Sequence, residues 1–285
     1  MPPDHDHPGG PQAAAIAHNR RAWDRLADTG VPLARPAVDR AFDDPRTWIG
    51  GGGPADRPWI PARLHGLEVL CLAAGGGKHA PLYAAAGGRV TVVDVSPAML
   101  ALDRAVARER RIDIEIVEGS MDDLDVLGTA RFDLVVHPVS TCYVPDVAAV
   151  FRAVARVTRP GGLYVSQHKA AASLQATTEP GPGGRYELAH PTNPGDGLRE
   201  PLPAAPPSRL RETGTLEFVH SLTALLGGIC RAGFSIEDVV EPDHARPDAA
   251  LGSFAHRARF LPPYLRVLAR RSAPGRSVPP LVLVE

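Results

Sequence analysis

The chain has 285 residues, 44% of them hydrophobic and 5% aromatic, with a formal net charge of −1. That length suits one sizeable α/β domain with additions, or at most two domains, and the core must be built mainly from Ala, Val and Leu. The charge balance argues against nucleic acid as the main partner, since phosphate contacts call for a basic excess, and no apolar run reaches the roughly 20 residues that span a bilayer.

The chain opens with "MPPDHDHPGGPQ", polar and rich in Pro and Gly, so residues 1–12 are read as a disordered tail and not as a signal peptide. His5 and His7 are read as part of that tail rather than as metal ligands. A helix is expected from about Gln12 to Asp28, with Ile16, Trp23 and Leu26 near one face. Residues 29–60 hold many prolines and the run Gly50 to Gly53, so residues 13–61 together form an N-terminal helical lid with a loop-rich cover.

From Leu67 strands and helices alternate. Strands are predicted near 67–73, 89–94, 112–117, 131–137 and 162–168, and helices near 78–87, 97–109 and 145–157. That rhythm implies βαβ crossovers and a parallel sheet with helices on both faces. The basic run Arg104 to Arg111 falls on a helix and reads as a solvated face. Residues 170–214 break the rhythm and are too long for a simple connection, so they are read as an inserted cover segment. A helix then follows from "TLEFVHSLTALLGGICRAGF", with Leu216, Val219, Leu222, Leu225, Leu226 and Ile229 at helical spacing and Gly233 as its cap. Strands near 234–241 and 258–269 finish the main domain, residues 62–270, and residues 271–285 are a C-terminal tail. Cys71, Cys142 and Cys230 are scattered without metal-ligand spacing or a disulfide framework, which with the polar start implies a cytoplasmic protein. No Asp, Glu or His cluster has ligand spacing, so no metal is expected.

The stretch from Val69 to Asp94, "VLCLAAGGGKHAPLYAAAGGRVTVVD", is strand, glycine turn, helix, strand and acid. A phosphate-cradling P-loop needs a glycine five residues before Gly77-Lys78 and a hydroxyl residue after it. Leu72 and His79 stand there instead, so that reading fails. Gly75, Gly77 and Ala80 satisfy G-x-G-x-x-A with Asp94 19 residues beyond Gly75, which fits a dinucleotide. The same glycines and acid would serve any adenosine cofactor laid across the first strand's end.

The surrounding residues separate these. "VTVVDVSPAMLALDRA" resembles the second-strand segment of class I S-adenosylmethionine-dependent methyltransferases, in which an acid is followed by x-Ser-x-x-Met-Leu. "IVEGSMDDL", "FDLVVHPVSTCYVPD" and "VARVTRPGGLYVSQH" resemble their third-, fourth- and fifth-strand segments in the same order, and a helix ending in "RAGF" precedes strand six. The resemblance covers about residues 62–270. It implies an α/β, Rossmann-like doubly wound seven-stranded sheet of order 3-2-1-4-5-7-6 with the last strand antiparallel, and S-adenosyl-L-methionine as cofactor.

It also implies roles. Ala73, Gly75 and Gly77 would line the aminoacyl end of the cofactor, and Asp94 would accept hydrogen bonds from the ribose hydroxyls. Val95 and Met99 would pack on adenine, Ser120 and Met121 would meet its edge, and His137 would sit beside the cofactor's middle. Two departures stand out. The family often carries an acid where this chain has Cys71, and Ala73 and Ala74 replace a common glycine and small residue; both alanines allow close approach at negative φ.

Methyl transfer is an in-line displacement, so positioning dominates and a base is needed only for a protonated acceptor. Beyond the carboxyl ends of the strands, His137 and His168 are candidate bases, with His220 on the later helix a third; His190 lies in the inserted segment. Trp23 and Tyr143 are candidates for the acceptor pocket. The acceptor expected is a small molecule, such as a natural-product intermediate: the basic excess of a nucleic-acid binder is missing, and "HPVS" stands where DNA amino-methyltransferases carry Asn/Asp-Pro-Pro-aromatic. Two alternatives stay open. An NAD(P)-dependent oxidoreductase of the short-chain type would need Tyr-x-x-x-Lys, and Tyr164 is followed there by His168, with Lys169 one position late. A non-catalytic S-adenosylmethionine-binding module is the other. The sequence carries no signature of oligomeric state.

Overall fold

The computed structural model describes residues 10–50, 53, 54, 57–191, 201–203 and 210–273. Its N-terminal helix α1 (Gly10–Thr29) and short α2 (Pro45–Ile49) precede a βα succession. Strand β1 (Glu68–Leu72), α3 (His79–Ala85), β2 (Arg89–Asp94), α4 (Pro97–Arg110), β3 (Ile114–Glu118), β4 (Phe132–His137), α5 (Val147–Val157) and β5 (Thr158–Lys169) follow in chain order. After β5 come α6 (Ala171–Gln175), a π-type turn (Thr223–Gly227), α7 (Gly228–Arg231), β6 (Phe234–Val240), α8 (Phe254–Arg257) and β7 (Tyr264–Arg271). The strands form one seven-stranded sheet in the order β3-β2-β1-β4-β5-β7-β6. β1 to β5 run parallel and β7 runs antiparallel to both β5 and β6, the architecture that the motifs imply.

Local chemistry sets these boundaries. In β1, Val69 to Leu72 are fully buried, as a strand covered on both faces requires. α4 begins where the Ser96 hydroxyl accepts from the Met99 N–H and Pro97 opens the first turn, and it ends at Arg111 with φ 53°. α5 is capped by Asp146, whose Oδ1 accepts from Ala148 and Ala149 N–H.

The sheet separates two cores. On one face Leu70, Leu72, Val135 and Tyr164 pack with Val150, Phe151 and Val154 of α5 and with Ile229. On the other, Val69, Cys71, Leu134, Val136 and Val165 meet Ala80 and Tyr83 of α3 and the segment carrying Trp59, Ile60 and Leu64.

The structure corrects several boundaries. α1 begins at Gly10, so Gly10 to Gln12 belong to the helix and not to the expected tail; residues 1–9 lie outside the described residues, as do residues 274–285 of the expected C-terminal tail. The helix expected from Leu216 begins only near Thr223, because the preceding backbone is committed elsewhere. Leu216 N–H donates to Asn19 Oδ1, Phe218 N–H to Cys142 O, and Leu202 N–H to Glu217 O. Tertiary partners thus satisfy the groups a helix would have used, which outweighs apolar spacing. β7 starts at Tyr264 and not near 258, since Pro262 and Pro263 end the turn after α8 and cannot donate to a ladder.

Candidate active site

A cavity of about 820 Å³ opens at the carboxyl ends of β1, β2, β4 and β5, where ligands of doubly wound sheets bind. Its wall includes Ala73, Gly75, Asp94, Val95, Met99, Ser120, Met121, His137, Trp23 and Tyr143, so most residues singled out from the sequence meet around one space.

The glycine turn forms one side. Gly75 N–H donates to Asp94 Oδ2 at 2.9 Å, and Ser96 N–H donates to Asp94 Oδ1 at 2.9 Å. A Cβ on Gly75 would lie 2.8 Å from Met99 Cβ and 3.0 Å from Asp94 Oδ2, so only glycine lets the turn approach the acid this closely. Ala73 takes φ 47°, a left-handed conformation, where negative φ was expected. Gly77 is buried but does not line the cavity; its carbonyl accepts from Ala37 N–H, and a Cβ there would press on Val106 and Pro36. Gly77 thus packs against Pro36, Ala37 and Val106, off the cavity wall where the sequence reading put it.

Burial raises the Asp94 carboxyl above its ordinary range, while the N–H groups of Ser96 and Gly75 pull the other way. Each Asp94 oxygen takes one backbone N–H and keeps a second acceptor position. A carboxylate at the cavity wall, a glycine cradle that a Cβ would fill, and the apolar Val95, Met99 and Met121 beside them fit the ribose, aminoacyl and adenine parts of S-adenosylmethionine. Ser120 Oγ bonds Asp122, and Asp122 in turn accepts from Gln12 Nε2 at 2.9 Å, tying this edge to the lid helix.

The histidines separate into two groups. His137 is fully buried with both ring nitrogens engaged, Nδ1 with Tyr164 OH at 2.8 Å and Nε2 with Ser140 Oγ at 2.6 Å. Burial pulls its pKa down to about 3, so it is a neutral imidazole. His168 and His220 do not reach the cavity wall. His168 bonds Thr141 Oγ1 at 2.8 Å and Ser166 Oγ at 2.9 Å, and burial lowers its pKa to about 3. The His220 Nε2 meets the carbonyls of Thr141 and Val144, which holds the loop after β4 against the segment that returns from the insertion. His190 is tied to Gln175 and also stands off the wall. His79, in the first turn of α3, lines the cavity, and burial brings it down to about 4. In the sequence His79 figures only as the residue that breaks the P-loop pattern, and its place on the cavity wall has no local signal.

The N-terminal helix and residues 210–220 are pinned by polar contacts that sequence patterns do not carry. The Asn19 amide donates to the Tyr143 and Leu216 carbonyls. Asp24 Oδ1 accepts from Ser96 Oγ at 2.6 Å and from Ala98 N–H at 3.2 Å, so α1 docks on the start of α4. Trp23 meets Tyr143 edge-on at 5.5 Å between ring centroids. Tyr143 OH donates to Glu212 Oε2 at 2.6 Å, and the buried Lys169 Nζ reaches Glu212 at 2.6 Å and Glu217 at 3.0 Å. Burial works against the Lys169 charge, but the two carboxylates outweigh it and hold its pKa above the ordinary value. Glu212, a cavity-wall residue, is thereby kept below the usual carboxylate range although its burial acts upward.

The cavity wall also takes in residues of the sheet face covered by α3. Ile49, Ile60, Tyr83, Val136 and Val165 supply apolar walls, and Gln167 and Arg266 face each other across the β5–β7 ladder, Arg266 Nε donating to Gln167 Oε1 at 2.6 Å. Among the described residues, no group of three His, Cys, Asp or Glu could hold a metal ion, and no helix is long and apolar enough to cross a membrane.

Comparison with known proteins agrees with this geometry. Residues 70–166 match the family model described as a methyltransferase domain. The uncharacterized methyltransferase YbaJ of Bacillus subtilis (strain 168) is 36% identical over 236 residues, covering 80% of this chain and 91% of that protein. The crystal structure of an S-adenosylmethionine-dependent methyltransferase from Mesorhizobium loti is 26% identical, covers 75% of this chain and 94% of its own, and superposes with a TM-score of 0.56. The 1,6-didemethyltoxoflavin-N1-methyltransferase of Burkholderia thailandensis, solved with 1,6-didemethyltoxoflavin and S-adenosylhomocysteine, is similar in fold at 20% identity. It covers 94% of this chain and 93% of its own, with a TM-score of 0.54.

Proposed function

Because this chain belongs to the S-adenosylmethionine-dependent methyltransferases of the class I fold, we propose that its acceptor is a small molecule held against the cavity wall formed by Ile49, Tyr83, Val165, Gln167 and Arg266. The observation that carries this reading is the size and lining of the space. A cavity of about 820 Å³ falls within the range of small-molecule sites, and beyond the glycine turn its wall combines apolar residues with the polar Gln167 and Arg266. When bound, the cofactor supplies a methyl on a sulfonium, which passes in line to the acceptor atom.

The chain's own part is to hold and to dry the site. Asp94 and the Gly75 backbone fix one end, Trp23 and Tyr143 close over the middle, and the tethered lid keeps water from the reacting atoms. An acceptor that carries a proton needs a base. Of the candidate histidines His79 is the one on the wall with neither nitrogen committed, so we assign to it the role expected for His168 and His220. The polar pair Gln167 and Arg266 favours an acceptor that presents a carbonyl, carboxylate or phenolate oxygen to that end, and a natural-product intermediate of drug-like size meets the description.

The test is incubation with S-adenosylmethionine and a panel of phenols, aromatic acids and heteroaromatic amines, read by mass spectrometry. The expected result is a product heavier by one methylene unit. Cofactor binding with no turnover on any panel member, together with methylation of tRNA or protein substrates, would contradict a small-molecule acceptor.

A further inference from the structure

The glycine turn is held from two sides. On the cavity side Gly75 N–H is taken by Asp94. On the opposite side, Gly76 N–H donates to Asp103 Oδ2 at 2.9 Å and shares itself with Met99 O at 3.1 Å. Asp103 sits in the middle of α4 and is completely buried. The residue beneath the turn in β1 is Cys71, also completely buried, whose thiol is kept neutral by burial and by the nearby Asp103 charge.

A neutral thiol cannot hold the amides of the turn as a carboxylate does. A carboxylate arriving from α4 can, and this one comes at visible cost. Asp103 Oδ1 is buried with no hydrogen-bond partner, and burial lifts the carboxyl to about 7. A residue that merely filled space in α4 would be apolar at this position. The turn also needs the restraint, because Gly76 and Gly77 take φ 112° and 71°, a backbone with few intrinsic preferences to keep it in place.

We propose that Asp103 is the positioning residue of the cofactor turn, supplying from α4 the carboxylate that the chain lacks at Cys71. It acts through the Gly76 amide and does not touch the cofactor. With that amide drawn toward α4, Ala73, Ala74 and Gly75 are the part of the turn presented to the cavity. The inference rests on the cofactor reading for its functional consequence but not for its geometry.

The test therefore has two readouts on the full chain, amide hydrogen exchange of the turn and calorimetric binding of S-adenosylhomocysteine. The variants are Asp103→Ala, the isosteric Asp103→Asn, and the transplant Cys71→Asp with Asp103→Ala. In Asp103→Ala the Gly76 amide is expected to exchange at least about 10-fold faster and S-adenosylhomocysteine to bind at least about 10-fold more weakly. Asp103→Asn, which keeps one acceptor and the shape, is expected to lose about 3-fold in each, and serves if the alanine variant does not fold. The transplant should bring both back to within about 3-fold of wild type. Unchanged exchange in Asp103→Ala, or a transplant that restores neither readout, would overturn the role. Failure of the wild type to bind S-adenosylhomocysteine would instead overturn the cofactor reading, while exchange would still decide the role of Asp103.

Discussion

Ala73 holds a left-handed backbone at φ 47° on the cavity wall, where an L-residue is strained by about 1–2 kcal/mol. Glycine removes that strain but costs about 0.5–1 kcal/mol of extra chain entropy. Ala73→Gly is therefore expected to change stability by no more than about 1 kcal/mol, in the stabilising direction, when measured by urea unfolding. Loss of stability would mean that the Ala73 methyl makes contacts worth more than the strain. His168 gives a pH test. Burial brings its folded pKa to about 3, below its ordinary 6.5. The unfolded chain then binds a proton that the folded chain refuses, so the histidine's contribution to stability is present above pH 6.5 and lost as pH falls toward 3. Asp94 and Asp103 act in the opposite sense, since burial raises both. Thermal melts of wild type and His168→Asn between pH 7.5 and about 4.5 isolate the histidine. The variant should lose less stability on acidification, and an identical pH dependence would contradict the assignment. His79→Gln is expected to lower turnover of a hydroxyl acceptor by about 10²-fold or more while leaving S-adenosylhomocysteine affinity within about 3-fold, because a base acts on the acceptor and not on the cofactor.

Among the elements, β1 to β5 and α3 to α5 were legible because their signals are local. Alternation, buried β-branched runs, Ser96-Pro97 and Asp146 all lie inside the segments they define. The segment 216–221 was not legible. Its apolar spacing suits a helix, yet its backbone partners Asn19, Cys142 and Leu202 lie far away in sequence, and no local pattern announces them. The lid helix shows the same division. Its helicity was readable, but the contacts that dock it belong to Gln12, Asn19 and Asp24, polar residues a periodicity argument ignores. Asn19→Ala would leave the half-buried Leu216 N–H and the buried Tyr143 carbonyl without their partner. A loss of about 1–3 kcal/mol in stability is expected, with faster amide exchange confined to α1 and residues 214–218. Uniform loosening of the whole chain would argue against a separately docked lid.

At the scale of the molecule, the sheet and the segment 210–217 meet at one charged cluster. Lys169 ends β5 and bonds Glu212, Glu217 and the Leu210 carbonyl, and Arg211 completes the pairing with Glu217. The sequence shows a broken rhythm after β5 but not this anchor, since a lysine following a strand reads as a solvent-facing end. Replacing Lys169 with Met would leave Glu212 buried without its cation and Glu217 with Arg211 alone, and should cost about 3–5 kcal/mol in chemical unfolding. A loss under about 1 kcal/mol would mean that the cluster is solvated and does not hold the cover. The side of the cavity built by the glycine turn and the strand ends was the most readable, because these are short motifs. The side assembled from Ile49, Tyr83, Val165 and Arg266 was the least readable, because these residues are distant in sequence.

The most direct measurement is calorimetric titration of S-adenosylhomocysteine, with NAD and NADP as controls, into wild type and Asp94→Ala. Binding of S-adenosylhomocysteine alone is expected, weakened in the variant by about 1.5–3 kcal/mol as a charged hydrogen bond is lost. Binding of NAD or NADP in its place, or an Asp94→Ala variant that binds S-adenosylhomocysteine as tightly as wild type, would contradict the assignment of this cavity.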